Sequence, residues 1–166
     1  MTIDEVKRLL RLEPLAGEGG WFAETYRARQ VLPGGALGMD WPDPRPLATA
    51  IYYLLTAETF SALHRLRSDE IFHFYLGDPV EMLQLAPNGS GRVLVLGTDL
   101  AAGMHPQILV PGGVWQGTQL IAGGRYALLG TTVSPGFDFA DFELGRLETL
   151  ATAYPAFRER IAALCR

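Results

Sequence analysis

Two side chains able to exchange protons, His64 and Glu70, stand on either side of a short polar turn. Imidazole titrates near pH ~6.5, so a histidine in a cavity can act as acid, base or ligand. Glu70 opens an apolar stretch, where a buried carboxylate is costly unless it is paired or used. Further along, a Pro-Gly turn precedes Trp115 and Gln116. Polar side chains placed in this way by two separate strands predict a polar site inside an apolar barrel.

Each of these residues also has an ordinary structural interpretation. His64 would then be a core histidine bonded to backbone, and Glu70 a charge at a strand end in water; we favour the pocket for both. Alternation along the strand puts Glu70 and Phe72 on one face and His73 on the other, unless a bulge reverses His73. Both placements of His73 stay open. The predicted catalytic residues are His64 and Glu70, and the predicted ligand-binding residues are His64, Glu70, Phe72, His73, Trp115 and Gln116.

Length and composition indicate one globular domain over residues 1–166. Of the 166 residues, 48% are hydrophobic and 19% charged, and the net charge of −4 argues against nucleic acid as a partner. Apolar runs fall short of the ~20 residues that a bilayer requires, so we expect no membrane partner. The charged N-terminus does not resemble a secretory signal, and Cys165 is the single cysteine. We therefore expect a reducing, cytoplasmic location.

The pattern of elements predicts an all-β fold with a helix at each end. Residues 3–12 have helical spacing with a Thr2–Glu5 capping box, and residues 144–164 return to helical composition with a break at Pro155. The Pro- and Gly-rich residues 33–46 predict a surface loop. After a first strand at residues 21–27, the turn residues delimit strands at 47–55, 71–76, 80–85, 92–96, 107–110, 114–122 and 125–133.

Two shorter patterns give more local predictions. Gly123-Gly124 has the composition of a two-residue hairpin turn. Residues 137–143 alternate aromatic and acidic side chains, which favours a strand with a solvated acidic face over a cation site.

The histidine and turn segments together resemble the two motifs of the cupins. The first motif is a glycine, His-x-His, a glutamate and a closing glycine; here His64, Leu66, Glu70 and Gly77 stand at those positions. The second is Pro-x-Gly-x-x-His, where Gln116 replaces the histidine. The upstream glycines and the closing asparagine are replaced by the residues Glu58, His105 and Leu120.

The resemblance extends over about residues 5–157 and includes short segments such as Glu18-Gly-Gly, Thr49-Ala-Ile-Tyr-Tyr and Ser134-Pro-Gly-Phe-Asp-Phe. These segments resemble those of the fifth cupin family, which consists of small RmlC-like single-domain proteins of mostly unassigned function. The resemblance implies a double-stranded β-helix, a jelly-roll barrel with short terminal helices. It implies little about a reaction.

The resemblance also bears on metal binding. Metal-binding cupins typically use three histidines and a glutamate, whereas Leu66 cannot coordinate and a glutamine amide is a poor ligand beside imidazole. We therefore expect no cofactor. A divalent metal, if one were bound, would be held by His64, Glu70 and Gln116.

Three functions remain open at this point. The first is binding of an unidentified small organic ligand inside the barrel. The second is a metal-independent epimerase or isomerase acting on a carbohydrate or related molecule, with His64 as acid/base and Glu70 as partner. The third is a metal-dependent dioxygenase or isomerase. Because Ile71, His73 and Tyr75 form an outer face too apolar for water, we also expect a homodimer.

Overall fold

The computed structural model describes residues 1–38 and 41–165. Three helices and thirteen strands are formed by the described residues. The helices are α1 (Ile3–Leu10), α2 (Leu147–Ala153) and α3 (Arg158–Leu164). The strands are β1 (Glu13–Pro14), β2 (Trp21–Arg27), β3 (Val31–Leu32), β4 (Arg45–Pro46), β5 (Thr49–Thr56), β6 (Ser61–Leu66), β7 (Asp69–Gly77), β8 (Val80–Leu85), β9 (Gly91–Leu96), β10 (Gln107–Val110), β11 (Trp115–Leu120), β12 (Tyr126–Ser134) and β13 (Phe142–Leu144).

Two antiparallel sheets form the body of the fold. One has six strands in the order β1-β2-β5-β12-β7-β10, and the other has five in the order β13-β6-β11-β8-β9. Strands β3 and β4 pair separately. Inward side chains of both sheets meet in one core, which joins Tyr53 and Phe72 of the first sheet to Met82 and Leu96 of the second. The expected all-β barrel with terminal helices is thus confirmed.

The helices cover part of both outer faces, and α1 packs Val6 against Leu54 and Leu128 on the outside of the six-stranded sheet. The predicted capping box of α1 is present: the Thr2 hydroxyl accepts from the backbone N–H of Glu5 at 3.2 Å, and the Glu5 carboxylate accepts from the N–H of Thr2 at 2.7 Å. Helices α2 and α3 pack Leu150 and Ile161 against Leu63 and Leu83 on the outside of the five-stranded sheet. No helix in the described part of the chain is long and apolar enough to span a bilayer.

Four local expectations are corrected. The sequence analysis predicted no strand at β6, because Ser-Ala-Leu-His-Arg-Leu lacks the β-branched and aromatic residues that strands favour. Gly124 closes a turn by donating to the carbonyl of Ile121 at 2.9 Å, but this turn connects strands of different sheets and is no hairpin. At the end of the predicted surface loop at 33–46, Arg45–Pro46 instead form β4 with Arg45 buried; residues 39 and 40 lie outside the described residues.

The fourth correction concerns residues 137–143. A 3-10 turn at Phe139–Asp141 interrupts the predicted strand, and only its end lies in a strand, β13 at Phe142–Leu144. The side chain of Asp141 is buried rather than solvated, and it forms an ion pair of 2.7 Å with Arg45. Phe137 and Phe142 turn toward the interior of the barrel, whereas Phe139 is largely exposed and Asp141 pairs with the arginine. We call residues 137–144 the strap.

Candidate functional site

A cavity of about 250 Å³ lies between the two sheets, at the end that the strap closes. Its walls come from inward-facing side chains of β2, β5, β6, β7 and β12, from the loop before β2, and from the strap. Most of these side chains are apolar, and the polar ones gather at two places, an inner end and a mouth. The inner end is formed by Glu18, Tyr53, His64, Glu70 and Thr131, and the mouth by Glu24, Arg27 and Asp138.

His64 reaches the inner end because even-numbered residues of β6 face the barrel interior. Its Nδ1 lies 2.8 Å from the carbonyl oxygen of Ala62. A carbonyl only accepts, so Nδ1 carries the proton and Nε2 of the neutral ring offers a lone pair. Nε2 lies 3.2 Å from Nε2 of Gln116, whose N–H donates to it. The ring is buried and stacks on Phe142 of the strap, with centroids 5.1 Å apart.

Gln116 lies behind this histidine and joins it to Glu70. Register pairs Gln116 of β11 with His64 of β6, and the amide nitrogen of Gln116 also donates to the Glu70 carboxylate. The Oε1 of Gln116 is buried without a hydrogen-bond partner among the described residues. His64, Glu70 and Gln116 therefore meet in one cluster, with Gln116 set back from the cavity wall.

The turn before β11 sets this register. The N–H of Gly112 donates to Asp69 at 2.8 Å, and the N–H of Gly113 donates to the carbonyl of Leu66 at 2.8 Å. A Cβ on Gly112 would lie 2.3 Å from the carbonyl oxygen of Arg67, so only glycine fits there. The turn is thus fixed to the residues between β6 and β7, and these two strands carry His64 and Glu70.

Glu70 is a buried carboxyl with an altered acidity. Burial raises the pKa of Glu70 from 4.5 to about 7. The neighbouring Glu18 acts in the same direction, while the charge of His64 when its ring is protonated, and the hydrogen bonds of Thr131 and Gln116, act against it. A carboxyl with this pKa exchanges protons near neutral pH, which is the property expected of a group that donates or accepts a proton in a functional site.

Glu18 is the site residue that the sequence analysis missed. Its Oε1 accepts from the Ser61 hydroxyl at 2.7 Å, and its Oε2 lies 3.9 Å from Nε2 of His64. The loop is fixed by a bond from the N–H of Ala62 to the Glu18 carbonyl and by the close contact of Gly20 with Tyr53. The signal for Glu18 in the sequence is a charged residue within Gly-Glu-Gly-Gly. Glycines allow backbone conformations in which a loop lies close against a neighbouring strand, so a charged side chain among them can enter the site.

The mouth of the cavity carries an ion pair and aromatic rings. Arg27 donates to Glu24 through Nε at 3.0 Å and through Nη2 at 2.6 Å, and to the Phe137 carbonyl at 3.4 Å. Phe137, Phe139 and Phe142 pack edge to face, with centroids 5.0 to 6.4 Å apart. The strap therefore presents aromatic surface to the cavity.

Three residues expected to contact a ligand lie away from the cavity, which corrects that expectation. His73 faces outward, where it bonds Thr132 at 3.1 Å and Gln107 at 3.2 Å; the irregularity between β7 and β12 falls beyond His73, opposite Leu128 and Leu129. Phe72 faces inward but is enclosed in the core. Trp115, odd-numbered on β11, packs outside the barrel with the Arg65 guanidinium 4.5 Å from its ring centroid.

The donor set does not fit the metal site of the metal-binding cupins. Leu66 lines the cavity where a histidine would coordinate. Gln116 presents its amide nitrogen, which has no lone pair for a metal, to both His64 and Glu70. No group of three His, Cys, Asp or Glu side chains placed to hold a metal occurs within residues 1–38 and 41–165.

The chain belongs to the cupins: the model of the family described as Cupin superfamily (DUF985) matches residues 4–145. The resemblance noted from the motifs is thereby confirmed. Two solved structures are similar over the whole chain. A protein of Shewanella oneidensis is 36% identical with a TM-score of 0.86, covering 100% of this chain and 98% of that one. A hypothetical protein of Leishmania major is 30% identical with a TM-score of 0.89, covering 99% of both chains.

A curated relative is also uncharacterised. An uncharacterised protein of Saccharomyces cerevisiae is 30% identical over 132 residues, which make up 75% of this chain. This chain covers 66% of the yeast protein, just under two thirds of its length. The comparisons therefore establish the family and the fold, and the function has to be argued from the site.

Proposed function

We propose that this cupin binds a small organic molecule in the cavity between its sheets. The supporting observation is the convergence of Glu18, His64 and Glu70 at the inner end of a cavity whose walls are mostly apolar. Ligand sites are typically apolar hollows with a few convergent polar groups. At about 250 Å³ the cavity is smaller than the ~300–1,000 Å³ usual for drug-sized ligands, which favours a small metabolite.

The cavity wall supports specific recognition. Glu18 Oε2 offers an acceptor, and Glu70 accepts or donates according to its protonation, since burial places its pKa at about 7. The aromatic strap supplies apolar contact at the other side. A ligand that fills the cavity would contact a polar group at one end and aromatic rings along its length.

A thermal-shift screen with a matched pair of variants tests this function. The screen covers sugar nucleotides, hydroxy acids, small aromatic compounds and amines, using protein treated with EDTA. A ligand at ~100 times its Kd stabilises the fold by about 2.7 kcal/mol, which a melting curve detects. His64→Gln, which alters the inner end, should abolish the shift, whereas His73→Gln on the outer face should retain it. Hits that bind both variants equally would contradict a site in this cavity.

A second candidate is acid–base catalysis without a metal, as in the epimerase or isomerase considered from the sequence. The observation that favours it is the bridge from His64 Nε2 through the Gln116 amide to Glu70, whose pKa lies about 7. His64 would accept a proton beside a carbonyl after the substrate displaces Gln116 from Nε2, and Glu70 would act as partner acid. Exchange of a ligand proton for deuterium in D₂O, followed by NMR, separates this candidate from binding alone.

A further inference from the structure

We propose that the cavity is selective for an organic ammonium ion that carries an apolar or aromatic group, with the ammonium at Glu18. This inference rests on the proposed function and adds the class of ligand to it. The carboxylates of Glu18, Glu24 and Asp138 line the cavity with the Glu70 carboxyl, which is partly protonated near neutral pH, against the guanidinium of Arg27 and the imidazole of His64. A cleft lined by an excess of one sign of charge attracts ligands of the other sign.

The positive charges of this region are already engaged. Arg27 makes a two-bond contact with Glu24 and also donates to the Phe137 carbonyl, so an anion would have to displace these contacts. Arg45 and Arg67 both lie at Asp141, and Arg65 pairs with Glu143 at 2.6 Å. Their ion pairs direct these side chains to the strap's acids, leaving the inner end acidic.

The inner end itself offers acceptors. Glu18 uses Oε1 for Ser61, and its Oε2 points toward His64, whose Nε2 is an acceptor in the neutral tautomer set by Ala62. The carboxylate side chain is 13% exposed, so it is accessible from the cavity while largely removed from water. An ammonium group placed here would donate to Glu18 Oε2 and stand close to the Glu70 carboxyl.

The remaining wall suits the rest of such a ligand. Phe22, Phe137 and Phe142 line the cavity, and Phe139 of the strap, 67% exposed, lies at its edge. Aromatic faces attract cations as well as apolar groups. An acidic inner end beside aromatic walls therefore fits an arylalkyl or alkyl amine better than a sugar phosphate or a carboxylic acid.

Three probes of one shape and different charge test the ligand class. 2-Phenylethylamine is a cation near neutral pH, 2-phenylethanol is neutral and phenylacetate is an anion. We expect calorimetry at low salt to give the amine at least tenfold tighter binding than the alcohol, with phenylacetate weakest. Binding of the amine should weaken with added salt, because opposite charges are screened.

Glu18→Gln removes the charge and keeps an oxygen for the Ser61 hydroxyl. Amine binding should fall at least tenfold in this variant, with little change for the alcohol. Glu58→Gln is the matched control, because Glu58 is exposed in the turn between β5 and β6 and lies outside the cavity lining; it should bind the amine like the parent protein.

The outcomes separate this inference from the proposed function. Phenylacetate binding as tightly as the amine, or an amine affinity unchanged in Glu18→Gln, would overturn the ammonium assignment. If another probe or screen hit binds the parent protein and this binding is lost in His64→Gln, the proposal that the cavity is a ligand site still holds. Failure of all three probes to bind the parent protein overturns the ammonium assignment. The proposed function is then tested by the wider thermal-shift screen.

Discussion

At the scale of single residues, Glu70 gives the site its pH dependence. Its pKa is raised from 4.5 to about 7, chiefly by burial. The folded protein therefore holds a proton that the unfolded chain has already released above its ordinary pKa. The stability associated with this proton is fully present below pH ~4.5 and is lost as the pH rises through ~7.

Glu70→Gln should remove this dependence. Because the amide stays neutral, the variant should gain stability relative to the parent as pH rises from 5 to 8, approaching ~3 kcal/mol for a shift of this size. Urea unfolding at several pH values measures the difference, and Glu58→Gln serves as an exposed control. A constant difference across this range would show that Glu70 is ionised in both states.

The site residues differ in how far the sequence could predict them. His64, Glu70 and Gln116 follow from motif positions, and alternation placed Glu70 on an inward face. Glu18 could not be placed, because its contact with Ser61 joins residues 43 positions apart and depends on how the loop folds over β6. Trp115 lies on the outer face of β11, and Phe72 faces inward as predicted but is enclosed by the core instead of reaching the cavity.

At the scale of elements, the strap determines the closure of the cavity. Its Asp141 side chain is 4% exposed and pairs with Arg45, which is 6% exposed, so the strap is attached to β4 by a buried ion pair. The strap also contains an exposed pair on β13, Glu143 with Arg65, at 56% and 41% exposure. The two pairs allow a buried and an exposed ion pair of one segment to be compared.

Asp141→Asn should destabilise the protein by ~3 kcal/mol, since it leaves a buried guanidinium without its carboxylate. Glu143→Gln should cost less than ~1 kcal/mol, because exposed ion pairs contribute little. Chemical denaturation of both variants measures the contrast. Equal losses would mean that the Arg45 pair does not hold the strap.

The strap and β6 are the elements that sequence patterns predict least well. Most strand positions follow from turn residues and alternation, and the structure shifts their ends by a few residues. β6 has a mixed composition because both of its faces are buried, one in the barrel and one under α2 and α3. The partner of Asp141 lies 96 residues away, so the sequence pattern alone did not reveal that this acid is buried.

At the scale of the whole molecule, we propose that two copies associate through the outer face of the six-stranded sheet. Tyr75 and Leu109 lie on neighbouring strands of that sheet, 49% and 48% exposed. Exposed apolar side chains on one sheet face favour association, and two-fold dimers are the commonest assembly.

Light scattering at micromolar concentration should give twice the chain mass of 18.2 kDa. Leu109→Lys should shift the protein toward monomer, whereas Leu100→Lys, at a more exposed leucine in a turn, should not. A parent protein that is monomeric at this concentration would contradict the proposed dimer.

The central claim, that a small molecule binds between the two sheets, is tested most directly by crystallography. Crystals would be soaked with a mixture of small cationic, neutral and anionic aromatic fragments. We expect electron density for a fragment inside the cavity, within hydrogen-bond distance of Glu18 or His64. Fragments found only on the outer surface, with the cavity filled by the protein's own side chains, would contradict it.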